Sequence, residues 1–180
     1  ATDGSLPIRE SWKCDWLLSV LCPWILPESI LVQSTNNLNF HPGPPEYPGF
    51  GCYNFAIYDR ATEYGVTCHR MNAKVDSGEI IAVRRFKIRP GTDIEMLQTA
   101  SHSELLTLLS EVLDRIKTND LLLPIKTWSR PPTSRKDFEA LRCVPHDASL
   151  EEVKLRILAF GHTNFDGAYS EVSATRPTET

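Results

Sequence analysis

An α/β fold is the class this sequence predicts, on three observations. Short apolar runs of strand length alternate with segments whose apolar residues recur at helical spacing. Gly and Pro cluster between these runs, where chain reversals need them. One long segment, Thr92 to Lys117, sets Ile94, Leu97, Leu105, Leu108, Leu109, Val112, Leu113 and Ile116 at helical spacing, the stripe of an amphipathic helix. Strands alternating with helices build layered α/β sheets.

In chain order, Asp15 to Val20 reads as a short buried strand. The segment from Cys22 to Pro27 holds two prolines and reads as an apolar loop. Glu28 to Gln33 is a short helix, and Leu38 to His41 a strand. Pro42 to Gly51 is dense in Pro and Gly and must be loop. Cys52 to Asp59 forms a turn or two of helix. Gly65 to Met71 and Glu79 to Ile88 are strands, the first with clear alternation. Thr92 or Asp93 can cap the long helix. Leu121 to Ile125 is a short apolar strand, Trp128 to Lys136 a loop, and Ser149 with Glu152 opens a last helix to Leu158 as a capping box. From Glu171 onward the composition is that of a frayed end.

With 180 residues, 41% of them hydrophobic, the chain can build one domain with a real core. Nineteen basic against 23 acidic side chains leave a net charge of −4, which offers no electrostatic footprint for nucleic acid. Cys14, Cys22, Cys52, Cys68 and Cys143 are odd in number and irregular in spacing. They point to reduced thiols of a cytoplasmic protein rather than to a disulfide framework or a zinc knuckle. No apolar run reaches the roughly 18 residues of a membrane span. The chain starts at Ala1 rather than Met, as a piece of a longer product would.

Three residues can carry chemistry. Asn39 and His41 are spaced i, i+2, which on a strand puts both side chains on one face. The Pro-Gly loop begins directly after them, so they lie at a carboxyl end, where open α/β sheets bind ligands. An amide and an imidazole converging there suit an oxyanion that develops during acyl transfer. The plainer alternative is a turn-capping Asn39 and a satisfied, buried His41. Asp76 sits in a turn, where Asp commonly bonds backbone; beside a histidine, its carboxylate would instead orient the ring or take a proton. His69 reads as packed core, and His102, His146 and His162 lack ligand spacing. Trp128 and Tyr53 can stack on a ligand ring or simply pack.

The order of the pieces adds a resemblance. Asn39-Phe40-His41-Pro42-Gly43-Pro44-Pro45-Glu46-Tyr47-Pro48-Gly49 resembles the N-x-H-P-S-x-L-P-x-Y-x-G signature of enzymes that use 10-formyltetrahydrofolate to formylate amines. Gly65-Val66-Thr67-Cys68-His69-Arg70-Met71 is similar to that family's G-V-T-x-H-x-M strand, and Val75-Asp76-Ser77-Gly78-Glu79-Ile80-Ile81 to its D-[TS]-G-x-I-[IL] segment. Cys22 to Pro27 and Arg156 to Tyr169 also resemble family segments.

The resemblance implies a Rossmann-like formyltransferase fold with a mostly parallel sheet, apparent here without its first strand–helix units. Residues 1–125 would be the carboxy-terminal half of the catalytic domain, and 126–180 an extension packed on it. It implies that Asn39 and His41 polarise the formyl oxygen and that Asp76 positions His41 and assists proton transfer. Trp24, Ile25 and Leu26, with Val75 and Asp76, would line the pterin pocket. The co-substrate would be 10-formyltetrahydrofolate, with no metal. The acceptor would be a small amine, expected to be an amino sugar on a nucleotide, with no nucleic acid, no membrane and room for a homodimer. Gly43 stands where many relatives carry Ser, Pro44 and Pro45 replace a Leu-containing pair, and Pro48 replaces a common Arg. These departures bear on the acceptor more than on the chemistry. Hydrolysis of the same folate is the rival reaction; a non-catalytic remnant or binding module is the rival of another class.

Overall fold

The computed structural model describes residues 13–161 and 166–170, and all that follows concerns these. Along the chain run β1 (Cys14–Val20), α1 (Glu28–Leu31), β2 (Ser34–His41), α2 (Cys52–Tyr58), β3 (Glu63–Arg70), β4 (Ile80–Lys87), α3 (Ile94–Lys117), α4 (Arg135–Arg142), β5 (Cys143–Val144), α5 (Leu150–Ala159) and β6 (Tyr169–Ser170). Strands β1 to β4 form one sheet in sequence order, and β5 and β6 a small second one.

The parallel pairing is found between β1 and β2, whose connection through α1 returns the chain to the same starting edge. Strands β3 and β4 join antiparallel. A parallel pair needs a crossover of about a dozen residues or more. The turn between β3 and β4 is shorter than that, and the connection before β3 spends its helix, α2, on packing against α5 and α3. The described part of the sheet is therefore mixed.

The two faces of this sheet differ in chemistry. Leu38 and Phe40 of β2, Val66 and Cys68 of β3 and Ile81 of β4 are buried together with Leu105, Leu108 and Val112 of α3. Trp16, Leu18 and Val20 of β1 pack against the same cluster. Because strand side chains alternate, the residues between them face the other way. These are Ser19, Asn39, His41, Thr67 and His69, and in the register Ser19, Asn39 and His69 form one row across three strands, with His41 and Thr67 in the next. A second core gathers Tyr47, Cys52, Ala56, Ile57, Tyr64, Ile94, Leu97, Leu141 and Phe160.

Helix α3 forms where its stripe predicts. Asp93 is the cap, its carboxylate accepting from the Met96 amide at 2.8 Å, and Ser149 caps α5 in the same way. Leu121 to Ile125, expected as a strand, forms no ladder, and of its residues only Leu122 is buried. Pro124 has no N–H to give, so contact with β4 is reduced to a bridge at Ile80 and Lys126. The expected loop from Trp128 ends two residues early, at Ser134. There, a capping box with Asp137 opens α4, a helix whose signal the two preceding prolines obscure. Residues beyond 170, read as a frayed end, lie outside the described residues. All five cysteines are free, and no described helix is long and apolar enough to cross a membrane.

Leu108 touches the sheet at the centre of the first core and is 1% exposed. Truncating it in Leu108→Ala leaves a cavity, and we expect a loss of about 3 kcal/mol in urea unfolding. A loss below about 1 kcal/mol would show that α3 does not hold the sheet in this way.

Candidate active site

The polar face of the sheet is roofed by two loops. The loop after β2 is folded down by its own backbone. Tyr47 N–H donates to the Pro44 carbonyl at 2.8 Å. The Thr67 and Ser101 hydroxyls donate to the carbonyls of Gly43 and Pro42, each at 2.8 Å. Pro44, Pro45 and Pro48 are buried, and prolines hold the loop's shape with little conformational freedom left to lose. Gly43 lies so close that a Cβ there would stand 2.6 Å from His41 Nε2. A side chain at this position would force the loop or the histidine to shift from this arrangement.

The second loop joins β3 to β4 and brings Asp76 inward. Its backbone is left-handed, with φ of +39°, a conformation that Asp tolerates better than most residues. The side chain does not serve the turn. One carboxylate oxygen, Oδ2, lies 3.1 Å from His41 Nδ1 and accepts the Gly49 N–H at 2.8 Å. The other, Oδ1, lies 3.2 Å from His69 Nε2. His69 in turn meets the Asn39 amide nitrogen at 3.1 Å through that same Nε2, and the Arg70 carbonyl through Nδ1 at 2.8 Å. His41 Nε2 faces the Tyr47 carbonyl at 2.9 Å.

The structure therefore brings the three chemistry-bearing residues of the sequence into one cluster, joined through a fourth. His41 touches Asp76 directly, and Asn39 reaches Asp76 through His69. His69, read from the sequence as packed core, is buried as expected but spends its ring on Asp76 and Asn39. Its alternation with Thr67 on β3 was the available signal; the pairing partner was not. Trp128 is a further arrival. Its indole meets the His69 ring edge-on at 5.0 Å and the His41 ring at 5.7 Å between centroids, and its N–H donates to the Gly78 carbonyl at 2.8 Å.

The residues expected at a pterin pocket are arranged less tightly. Because β1 and β2 run parallel in register, the loop with Trp24, Ile25 and Leu26 leaves the sheet at the edge where the proline loop leaves it. Ile25 is 70% and Val75 40% exposed, while Trp24 and Leu26 are half-buried. Among the described residues no group of three or more His, Cys, Asp or Glu side chains is placed to hold a metal ion.

Electrostatics divide the cluster. Burial pushes the Asp76 carboxyl up, but His41, the hydrogen bond and charge of His69, and the Gly49 N–H outweigh it and bring it down to about 2. Burial acts on His41 as well and lowers it below 6.5, against the pull of Asp76 and of the Tyr47 carbonyl. The two directions conflict in part, since an attraction that lowers Asp76 draws on a charged His41. Asp76 is the firmer charge, because the Gly49 N–H serves it whatever the ring carries. His41 is held toward neutrality by desolvation, while both its nitrogens face acceptors that a second proton would satisfy. Such a ring takes up a proton at little cost when a negative charge forms beside it.

Residues 9–113 match the family profile described as formyl transferase. The chain is 28% identical over 171 residues to the methionyl-tRNA formyltransferase of Geobacter metallireducens, an alignment covering 87% of this chain and 50% of that protein. Among solved structures, a sugar N-formyltransferase from a Shewanella species superposes with a TM-score of 0.75 at 23% identity, covering 91% of this chain and 65% of that one. An N-formyltransferase from Helicobacter canadensis, solved with folinic acid and dTDP-3-aminofucose, gives a TM-score of 0.67 at 23% identity over 79% of this chain and 53% of that one. The chain spans about half the length of the curated relatives it matches first.

The carboxyl of Asp76 falls from 3.8 to about 2 on folding. A group depressed by the fold stabilises it above its unfolded value, and that stability disappears as pH falls through the folded value. We expect urea stability to drop by about 2 kcal/mol between about pH 4 and pH 2 through this group. His41, also depressed, adds a loss of its own that begins as pH falls below 6.5. In Asp76→Asn the lower limb should flatten; an acid limb of unchanged depth would remove Asp76 from this role.

Proposed function

Because this chain belongs to the formyl transferase family, we propose that it transfers a formyl group from 10-formyltetrahydrofolate to a primary amine, with Asn39, His41 and Asp76 as the transfer residues. The observation that carries this reading is the His41–Asp76 pair at 3.1 Å on the face that also presents Asn39. The folate supplies an activated formyl carbon. The acceptor nitrogen attacks that carbon, the carbon–N10 bond breaks, the amine gives up a proton and N10 receives one. The products are a formamide and tetrahydrofolate. In this scheme Asn39 and His41 donate to the formyl oxygen as charge gathers on it, exchanging for it the contacts that Asn39 makes with His69 and His41 Nε2 with the Tyr47 carbonyl. Asp76 keeps His41 aimed and holds the proton in transit. The exposed apolar side chains of Ile25 and Val75 beside this polar face fit a flat ring system with polar edges, and Trp24, Ile25, Leu26, Val75 and Asp76 are its proposed contacts.

The acceptor we propose is an amino sugar carried on a nucleotide. Support comes from the dTDP-3-aminofucose found with the Helicobacter canadensis structure and from a net charge of −4, which does little to attract tRNA. A second reading, methionyl-tRNA as acceptor, is favoured by the Geobacter metallireducens relative. In either reading residues 1–125 would be the part that carries the transfer residues and 126–180 the extension, whose described residues pack on that part. The direct contacts of α5 with α2, and of segment 125–133 with the proline loop, support that division.

In the full-length protein, His41→Ala and Asn39→Ala should each lower kcat by about 10²–10³-fold with 10-formyltetrahydrofolate, with unfolding otherwise ordinary. Near-normal turnover in either variant would sink the assignment. A side-by-side assay with nucleotide-linked amino sugars and charged initiator tRNA decides the acceptor. Faster formylation of the sugar is expected, and a rate on tRNA that matches or exceeds it would establish the second reading.

A further inference from the structure

Segment 125–133 crosses the site as a strap. At one end the Ile125 N–H donates to the Ile80 carbonyl at 2.8 Å, at the start of β4. At the other, the amides of Ser129 and Thr133 donate to the carbonyls of Pro45 and Pro48, each at 3.0 Å, and the Thr133 hydroxyl to that of Phe50 at 2.7 Å. The strap thus joins the two loops that roof the polar face, and Trp128 lies in its middle. The indole N–H is spent on Gly78, two residues from Asp76. The ring is therefore fixed, and what it offers the two imidazoles is apolar surface, at interplanar angles of 80° and 75°. Beneath it His41, His69 and Asp76 are 5%, 2% and 7% exposed, whereas Trp128 itself is only half-buried. One side of the indole covers the cluster and the other meets solvent. Trp128 lies beyond the stretch that matches the family profile, which ends at residue 113.

We propose that Trp128 is a positioning residue of the transfer site: its ring closes the solvent side of the His41–Asp76–His69 cluster and holds both imidazoles in the orientation that Asp76 gives them. The proposal rests on the reading of that cluster as the transfer site. An apolar wall serves such a site twice. It brings no donor or acceptor that would compete for Asp76, and it keeps out the water that would weaken the pair. The groups facing His41 are otherwise Asp76 from the turn, His69 from β3 and the Tyr47 carbonyl.

Histidine-ring NMR titration of the full-length protein tests this without substrate. In Trp128→Ala, water reaches the ring, and the His41 midpoint should rise by about 0.5 unit or more. Trp128→Phe keeps the apolar wall and lacks the N–H, so its midpoint should stay within about 0.2 unit of the parent. An unchanged midpoint in the alanine variant overturns the proposal, and so does an equal rise in the phenylalanine variant. If the alanine variant does not melt cooperatively, Trp128→Gln, which keeps bulk but not the apolar wall, is read in its place by the same two outcomes. The pH dependence of kcat should move with the NMR midpoint. A midpoint that moves in a protein with no formyl transfer at all would leave the wall standing and overturn the functional reading beneath it.

Discussion

Asp76 is the group on which the site depends. A single carboxylate with almost no exposure takes one imidazole on each oxygen and a backbone N–H besides. A buried charge is tolerable only when it is paired and hydrogen-bonded, and here each partner comes from a different piece of chain. His41 closes β2, His69 lies on β3, and Gly49 belongs to the proline loop. Ionised Asp76 therefore fastens the end of β2, the loop that follows it and β3 to one another, and its left-handed backbone is the local cost of turning inward. Without the charge, His41 and His69 would lose the one group that both rings share.

That geometry presupposes a sheet with two chemically unlike faces. Apolar residues on β2, β3 and β4 sit against α3, and burial of this kind contributes about 25 cal/mol per Å². The helix fixes the register through that contact, because a slip by one residue would turn Leu38 and Phe40 outward. The polar residues then have no freedom of placement. Asn39 must stand beside His69, and His41 beside Thr67. The site is thus positioned by the packing on the opposite side of the sheet.

Chemically, the cluster is a place where charge can appear at low cost. A neutral-leaning His41 stands 3.1 Å from an ionised Asp76, close enough for a proton to be shared between them. The surrounding wall of prolines, the close approach at Gly43 and the indole above all act on the dielectric and on orientation.

Legible in the sequence alone are the alternation of strands and helices, the stripe of α3 and its Asp93 cap, and the candidates Asn39, His41 and Asp76. Each of these is written in local spacing, through side-chain periodicity, capping chemistry or a contiguous signature. Tertiary structure decided what depends on pairing. The antiparallel entry of β3 and β4, the recruitment of His69 to Asp76, the Tyr47 carbonyl at His41 and the indole of Trp128 over both rings all join residues that no local pattern links. Local spacing shows which face of a strand a side chain occupies; only the register of neighbouring strands and the path of the loops above them show what it meets there, because those are fixed by burial summed over the whole core.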